Sequence, residues 1–246
     1  MNRGELLVCA DPRALAATAA AMFVSFLHEA IAERGVARVA LSGGSTPRAM
    51  FEVLATMQVP WTDTEVFWVD ERAVPASSDR SNYGAASAAL FSKLSSPPRG
   101  LHPMPGDAPS LSDAAARYAA TLAASFGVSP EGAAPALDVV WLGIGDDGHT
   151  ASLFPGDGAV TATDRWVLDV PAHEGREARL TLSRAVIAAA RRVVVLAQGA
   201  SKRGPIARAR TRGDEGETPA RVIGAATGQV IWLVDEAARP LDEALV

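Results

Sequence analysis

The sequence predicts an α/β protein: a Rossmann-like, largely parallel sheet with helices on both faces, built as a single domain over residues 1–246. Three observations predict it. Short apolar runs without clean alternation recur along the chain, as expected of strands buried on both faces. Segments with apolar residues at helical spacing lie between them. The 246 residues, 48% hydrophobic and 21% charged, can fill one substantial core, and no low-complexity linker or fixed-period repeat divides them.

The elements follow in order. A first strand begins near residue 5. Asp11-Pro12 reads as a helix start, with proline at the first helical position; Leu15, Met22, Phe23, Phe26, Ala30 and Ile31 then recur at helical spacing, and Gly35 ends the helix. Val36 to Ser42 is a short buried strand, broken by Gly43-Gly44-Ser45-Thr46-Pro47, and a second helix runs to about Met57. Thr64 to Asp70 is rich in β-formers and predicts a strand. A polar loop leads to an alanine-rich helix from about Asn82 to Lys93. Ser95 to Ser110 carries five prolines and two glycines and predicts a loop. Leu111 to Phe126 is helical in pattern, and Leu137 to Ile144 is another apolar strand. Arg165 to Val170 and Ala178 to Leu182 are shorter strand candidates. Val193 to Ala197 and Val230 to Val234 are two more, separated by a Gly- and Arg-rich helical stretch.

Composition narrows the function. The net charge of −5 argues against a general nucleic-acid binder. No run of 18 or more apolar residues occurs, which predicts no membrane span. One cysteine, Cys9, makes no internal disulfide, and a reducing cytoplasm is the simplest compartment. No GxSxG elbow, HExxH or paired-cysteine motif is present; His28, His102 and His173 lack ligand spacing, so no metal site is expected.

In open α/β sheets, ligands bind beyond the carboxyl ends of strands. Four loops there have chemistry. In Ser42 to Pro47, two glycines let the backbone turn and approach a ligand, while Ser45 and Thr46 add hydroxyls. Free N–H groups and the following helix dipole suit an anion; an ordinary capped strand–helix turn has the same sequence. Asp70-Glu71-Arg72 follows the next strand as either a functional cluster or a surface ion-pair network. Downstream, Arg80 is either a bidentate phosphate donor or a solvated loop arginine.

Gly143 to Thr150 contains GxGxxG, but two carboxylates inside the loop would repel a pyrophosphate. It reads better as a tight turn presenting His149 next to Asp147. A histidine beside a carboxylate suits general-base chemistry; the alternative is a capping aspartate with a structural histidine. In Gln198 to Lys202, one of only two lysines in the chain follows a glycine turn at a strand end. Lys202 is either a point charge for phosphate or a solvated first-turn lysine, and a cation near a helix start opposes the dipole.

Taken together, LSGGSTPRAMFEVL, VFWVDERAVP with SDRSNYG, LDVVWLGIGDDGHTASLFPG and VVVLAQGASK resemble the 6-phosphogluconolactonases, block for block and in order. TPARVI and QVIWLVDEAA also fit, so the resemblance runs to about residue 238. It implies hydrolysis of 6-phospho-glucono-1,5-lactone to 6-phosphogluconate in the oxidative pentose phosphate pathway, on a Rossmann-like fold, with no cofactor or metal and a small sugar-phosphate lactone as partner. Glucosamine-6-phosphate deaminases resemble the chain at the Gly-rich loop and the GxGxDGH turn. They typically continue with Phe-Asn-Glu-Pro-Gly after the histidine and tend to carry tyrosine where Arg72 stands; this chain continues Thr150-Ala151-Ser152-Leu153-Phe154-Pro155-Gly156. Both differences favour the lactonase. A sugar-phosphate sensor domain of a transcription regulator shares the fold, but no helix-turn-helix precedes the first strand here.

The loop residues then have expected roles. Gly43, Gly44, Ser45 and Thr46, with Arg80 and Lys202, are expected to hold the phosphate. The resemblance implies that His149 takes a proton from the attacking water, and it is expected to return one to the leaving ring oxygen, with Asp147 or Asp70 as the candidates to orient the imidazole. Arg72 and backbone N–H groups are the candidates to serve the oxyanion.

Overall fold

A computed structural model describes residues 2–162 and 164–241. Seven strands form one sheet in the order β1 (Glu5–Cys9), β10 (Gln229–Asp235), β9 (Arg192–Ala197), β6 (Val139–Leu142), β2 (Ala37–Leu41), β3 (Thr64–Trp68) and β5 (Gly100–His102). Every neighbouring pair runs parallel. β6 and β9 are buried along almost their whole length, which requires cover on both faces.

The local signals act as the residue types dictate. The carboxylate of Asp11 accepts the Ala14 N–H at 2.7 Å, and Pro12 opens helix α1 (Pro12–Arg34). Gly35 closes it in the left-handed region at φ 73°, its N–H returning to the Ile31 carbonyl. By length and composition this helix is long and apolar enough to cross a membrane. It packs instead on the sheet and on α2 (Ser45–Leu54), burying Leu15, Phe23 and Leu27. The shorter helices are α3 (Asn82–Ala89), α4 (Leu111–Phe126), α5 (Arg184–Ala189) and α6 (Arg203–Ala209). Ser110 caps α4 by accepting the Asp113 N–H at 3.2 Å. All five tryptophans are buried.

Three features depart from the sequence reading. The strand expected over Thr64 to Asp70 ends at Trp68, and β4 (Asp70–Arg72) joins a second, antiparallel sheet with β8 (Arg179–Leu182) and β7 (Val167–Val170). Val69 is the seam. Its N–H donates to Leu41 of the large sheet at 2.9 Å, and its carbonyl accepts from Leu182 of the small one at 2.7 Å. The proline-rich stretch expected to be all loop contains edge strand β5, held by Tyr118, whose hydroxyl donates to the His102 carbonyl at 2.8 Å. The alanine-rich helix ends at Ala89, and a 3-10 turn carries the chain through Lys93.

The sheet order creates the functional location. From β2 the chain proceeds outward to β3 and β5; from β6 it proceeds the other way to β9 and β10. The loops after β2 and β6 therefore diverge, leaving a crevice at this switch point.

Candidate active site

A cleft of about 240 Å³ opens at that crevice. Gly43 and Gly44 line it from the end of β2, Gly143 to Gly145 and His149 from the end of β6, Asp70 and Arg72 from β4, and Lys202 from the turn after β9. A larger cleft of about 490 Å³ lies at the opposite, amino-terminal end of the sheet. Its arginines are already paired: Arg34 and Arg191 with Asp138 at 2.8 and 3.5 Å, and Arg192 with Glu29 at 2.5 Å. It holds neither the histidine nor the glycine loops.

His149 is positioned by a tight turn. The Gly145 N–H donates to the His149 carbonyl at 2.8 Å, and the Gly148 N–H to the Gly145 carbonyl at 3.0 Å. Gly148 has φ 90°, which favours glycine. Asp147 accepts twice from His149, from the backbone N–H at 3.0 Å and at Nδ1 at 2.6 Å. Partial burial pushes the Asp147 carboxyl up, but the His149 hydrogen bonds and charge outweigh it and hold the carboxyl below its usual range. An ionised carboxylate only accepts, so Nδ1 carries a proton, and the neutral tautomer that this bond selects has its lone pair on Nε2.

Asp70 does not reach this imidazole. Its carboxylate accepts from Ser152 Oγ at 2.7 Å and Asn82 Nδ2 at 3.3 Å, and Arg179 stands 3.9 Å away. Of the two orienting carboxylates considered from sequence, Asp147 is the one in contact with His149. Glu71 is likewise committed. Buried, it accepts from the N–H groups of Arg72, Asn82 and Tyr83 at 2.7, 2.8 and 2.9 Å and from Ser81 Oγ at 3.0 Å. It is an anionic cap on the amino terminus of α3.

The cationic groups divide in the same way. Lys202 Nζ lines the cleft and donates to Asp146 Oδ1 at 2.6 Å, and Ser201 Oγ donates to the same oxygen at 3.1 Å. These bonds hold the Asp146 carboxyl below its ordinary range. The turn carrying Lys202 is fixed from below by buried Asp235, which accepts the Gly199 N–H at 2.9 Å. Arg80 is exposed, donates to Glu177, and lies outside the cleft lining, contrary to the expectation from sequence. Ser45 and Thr46 sit just behind Gly44 in the first turn of α2, whose amino terminus has no side-chain cap.

Arg179 and Asn82 line the cleft and were not expected. Burial depresses the Arg179 guanidinium, against the pull of Asp70. The Nε atoms of Arg72 and Arg179 are buried without a hydrogen-bond partner among the described residues. Two incompletely bonded guanidiniums, a lysine and an uncapped helix terminus thus converge beside one oriented imidazole. Such a site can bind an anion at one place and move a proton at another. Among the described residues, no group of three or more His, Cys, Asp or Glu side chains could hold a metal.

Comparison with known proteins is consistent along the chain. The sequence profile described as glucosamine-6-phosphate isomerases/6-phosphogluconolactonase matches residues 10–232. A 6-phosphogluconolactonase of Synechocystis sp. is 41% identical over 213 residues, 86% of this chain and 87% of that one. The solved 6-phosphogluconolactonase from Trypanosoma cruzi superposes with a TM-score of 0.84 at 28% identity, covering 96% of this chain and 95% of that one. A monomeric glucosamine-6-phosphate deaminase superposes with a TM-score of 0.76 at 19% identity, over 95% of this chain and 98% of that one, a likeness of fold alone.

Proposed function

The chain belongs to the glucosamine-6-phosphate isomerase/6-phosphogluconolactonase family, and from that premise we propose that it hydrolyses 6-phospho-D-glucono-1,5-lactone to 6-phospho-D-gluconate in the cytoplasm, as a single-domain enzyme of the oxidative pentose phosphate pathway. The observation that carries this reading is the 2.6 Å contact between Asp147 and His149 Nδ1 beside a cleft lined by cations.

The substrate is a dianionic phosphate joined to an ester carbonyl. The phosphate seats on the N–H groups at Gly44, Ser45 and Thr46, with Lys202, Arg72 and Arg179 supplying charge. Gly43 leaves room for the Asn82 side chain, which a β-carbon there would strike. Binding so far from the reacting carbon assists catalysis by holding the carbonyl against the base and its water. His149 Nε2 takes a proton from water as the water oxygen bonds to C1. The carbonyl electron pair moves onto oxygen, and nearby backbone N–H groups or a cleft arginine stabilise that oxyanion. Collapse re-forms the carbonyl and breaks the bond between C1 and the ring oxygen. The ring oxygen takes the proton back from the imidazolium, and the free acid loses its proton to solvent. Asp147 keeps the imidazole in the productive tautomer and stabilises its cationic form.

Two substrates test the assignment. The protein should accelerate opening of the lactone above its spontaneous rate and release no ammonia from glucosamine 6-phosphate. Ammonia release with lactone decay equal to the blank would replace the lactonase with the deaminase.

A further inference from the structure

One hydrogen bond at Nδ1 leaves an imidazole able to swing about that bond. The ring of Phe154 closes this freedom. Its centroid lies 4.7 Å from that of His149, with planes tilted by 41°. Phe154 is buried and is itself held, because the guanidinium of Arg176 sits 3.7 Å from its ring centroid. Arg176 is fixed in turn from two directions. Its Nη2 donates to Asp157 Oδ2 at 3.3 Å. Its backbone exchanges hydrogen bonds with His173, at 2.8 and 3.0 Å, across the tip of the β7–β8 hairpin. The tip turns at Gly175, with φ 75°. Asp157 follows Phe154 by three residues, and its N–H donates to the Phe154 carbonyl at 3.1 Å. The small sheet thus reaches back over the β6 loop and clamps the aromatic ring beside the imidazole.

We propose that Phe154, backed by Arg176, is a positioning residue for His149: an aromatic wall that sets the imidazole plane which Asp147 alone leaves free. The inference rests on His149 being the general base. A wall of this kind acts on the chemical step and leaves the remote phosphate contacts untouched, so it should appear in kcat and not in KM. Small misplacements of a catalytic group cost up to about a hundredfold in rate.

The test measures kcat, KM and 6-phosphogluconate binding for Phe154→Leu, Phe154→Tyr, Arg176→Met and His149→Ala, with kcat scaled to the binding stoichiometry so that misfolded protein is not counted. Phe154→Leu should lower kcat roughly tenfold or more with KM within about twofold. Phe154→Tyr, which keeps the ring, should stay within about threefold of wild type. Arg176→Met should lower kcat about threefold, again with little change in KM, and it carries the test if Phe154→Leu does not fold. Unchanged kcat in the folded variants, or a KM rise matching the kcat loss, would overturn the wall. Full turnover in His149→Ala would instead remove the general-base reading beneath it. Loss in His149→Ala with no effect in the Phe154 and Arg176 variants would remove only the wall.

Discussion

A β-carbon built on Gly145 would lie 2.1 Å from Nδ1 of His149 and 2.5 Å from the Asp147 carboxylate. The glycine is therefore the space in which the Asp147–His149 pair sits. Gly145→Ala should displace the imidazole with little effect on the fold, since the turn lies at the cleft rim. On the order of a hundredfold loss in kcat is expected, with a melting temperature close to wild type. Steady-state kinetics and a thermal melt on the same preparation check this.

Asp147→Asn keeps the shape but offers an amide in place of a carboxylate, losing charge stabilisation and control of the tautomer. Turnover should fall by about 10²–10⁴, while binding of 6-phosphogluconate holds. The same variant tests linkage. The Asp147 carboxyl is lowered from its ordinary 3.8 in the folded protein, so its contribution to stability is full above the unfolded value and disappears as pH falls through the lower, folded one. Wild type should lose melting temperature relative to Asp147→Asn only below about pH 4; parallel curves through that range would contradict the coupling.

Glu71 is a stability residue. Glu71→Ala leaves two N–H groups at the start of α3, and that of Arg72 in β4, without their acceptor, and a loss of about 2–4 kcal/mol is expected in urea unfolding. Glu71→Gln should recover part of it. A rate defect in Glu71→Gln with wild-type stability would show instead that the carboxylate acts on the reaction.

The two phosphate cations considered from sequence should separate. Lys202 lines the cleft, whereas Arg80 is turned to Glu177 outside it. Lys202→Ala should weaken 6-phosphogluconate about tenfold or more, as loss of a charge-assisted contact does, and the deficit should shrink as salt rises. Arg80→Ala should change affinity by less than about threefold. Titration calorimetry at two ionic strengths distinguishes them; equal losses would return Arg80 to the site.

Legibility in the sequence followed locality. The Asp11–Pro12 start and Gly35 stop of α1 are local devices, and the structure uses both. The contact between Asp147 and His149 spans two residues and could be anticipated from their adjacency. Arg179 could not: it stands in an ordinary strand segment, and only the antiparallel pairing of β4 with β8 sets it opposite Arg72. The choice between Asp70 and Asp147 was equally non-local, because Asp70 is occupied by Ser152, 82 residues away. The break of the third strand at Val69 needed knowledge of a second sheet. β5 was hidden because its three residues, Gly100–His102, lie among prolines and are held by tertiary pairing with β3.

The most direct test of the account follows lactone decay. The substrate is generated in situ from glucose 6-phosphate by its dehydrogenase, and its disappearance is compared for wild type, His149→Ala and a blank without protein. The account predicts fast decay with wild type and a rate for His149→Ala lower by about 10²–10⁴, at or near the spontaneous opening, with 6-phosphogluconate still bound. Wild-type turnover in His149→Ala would contradict it.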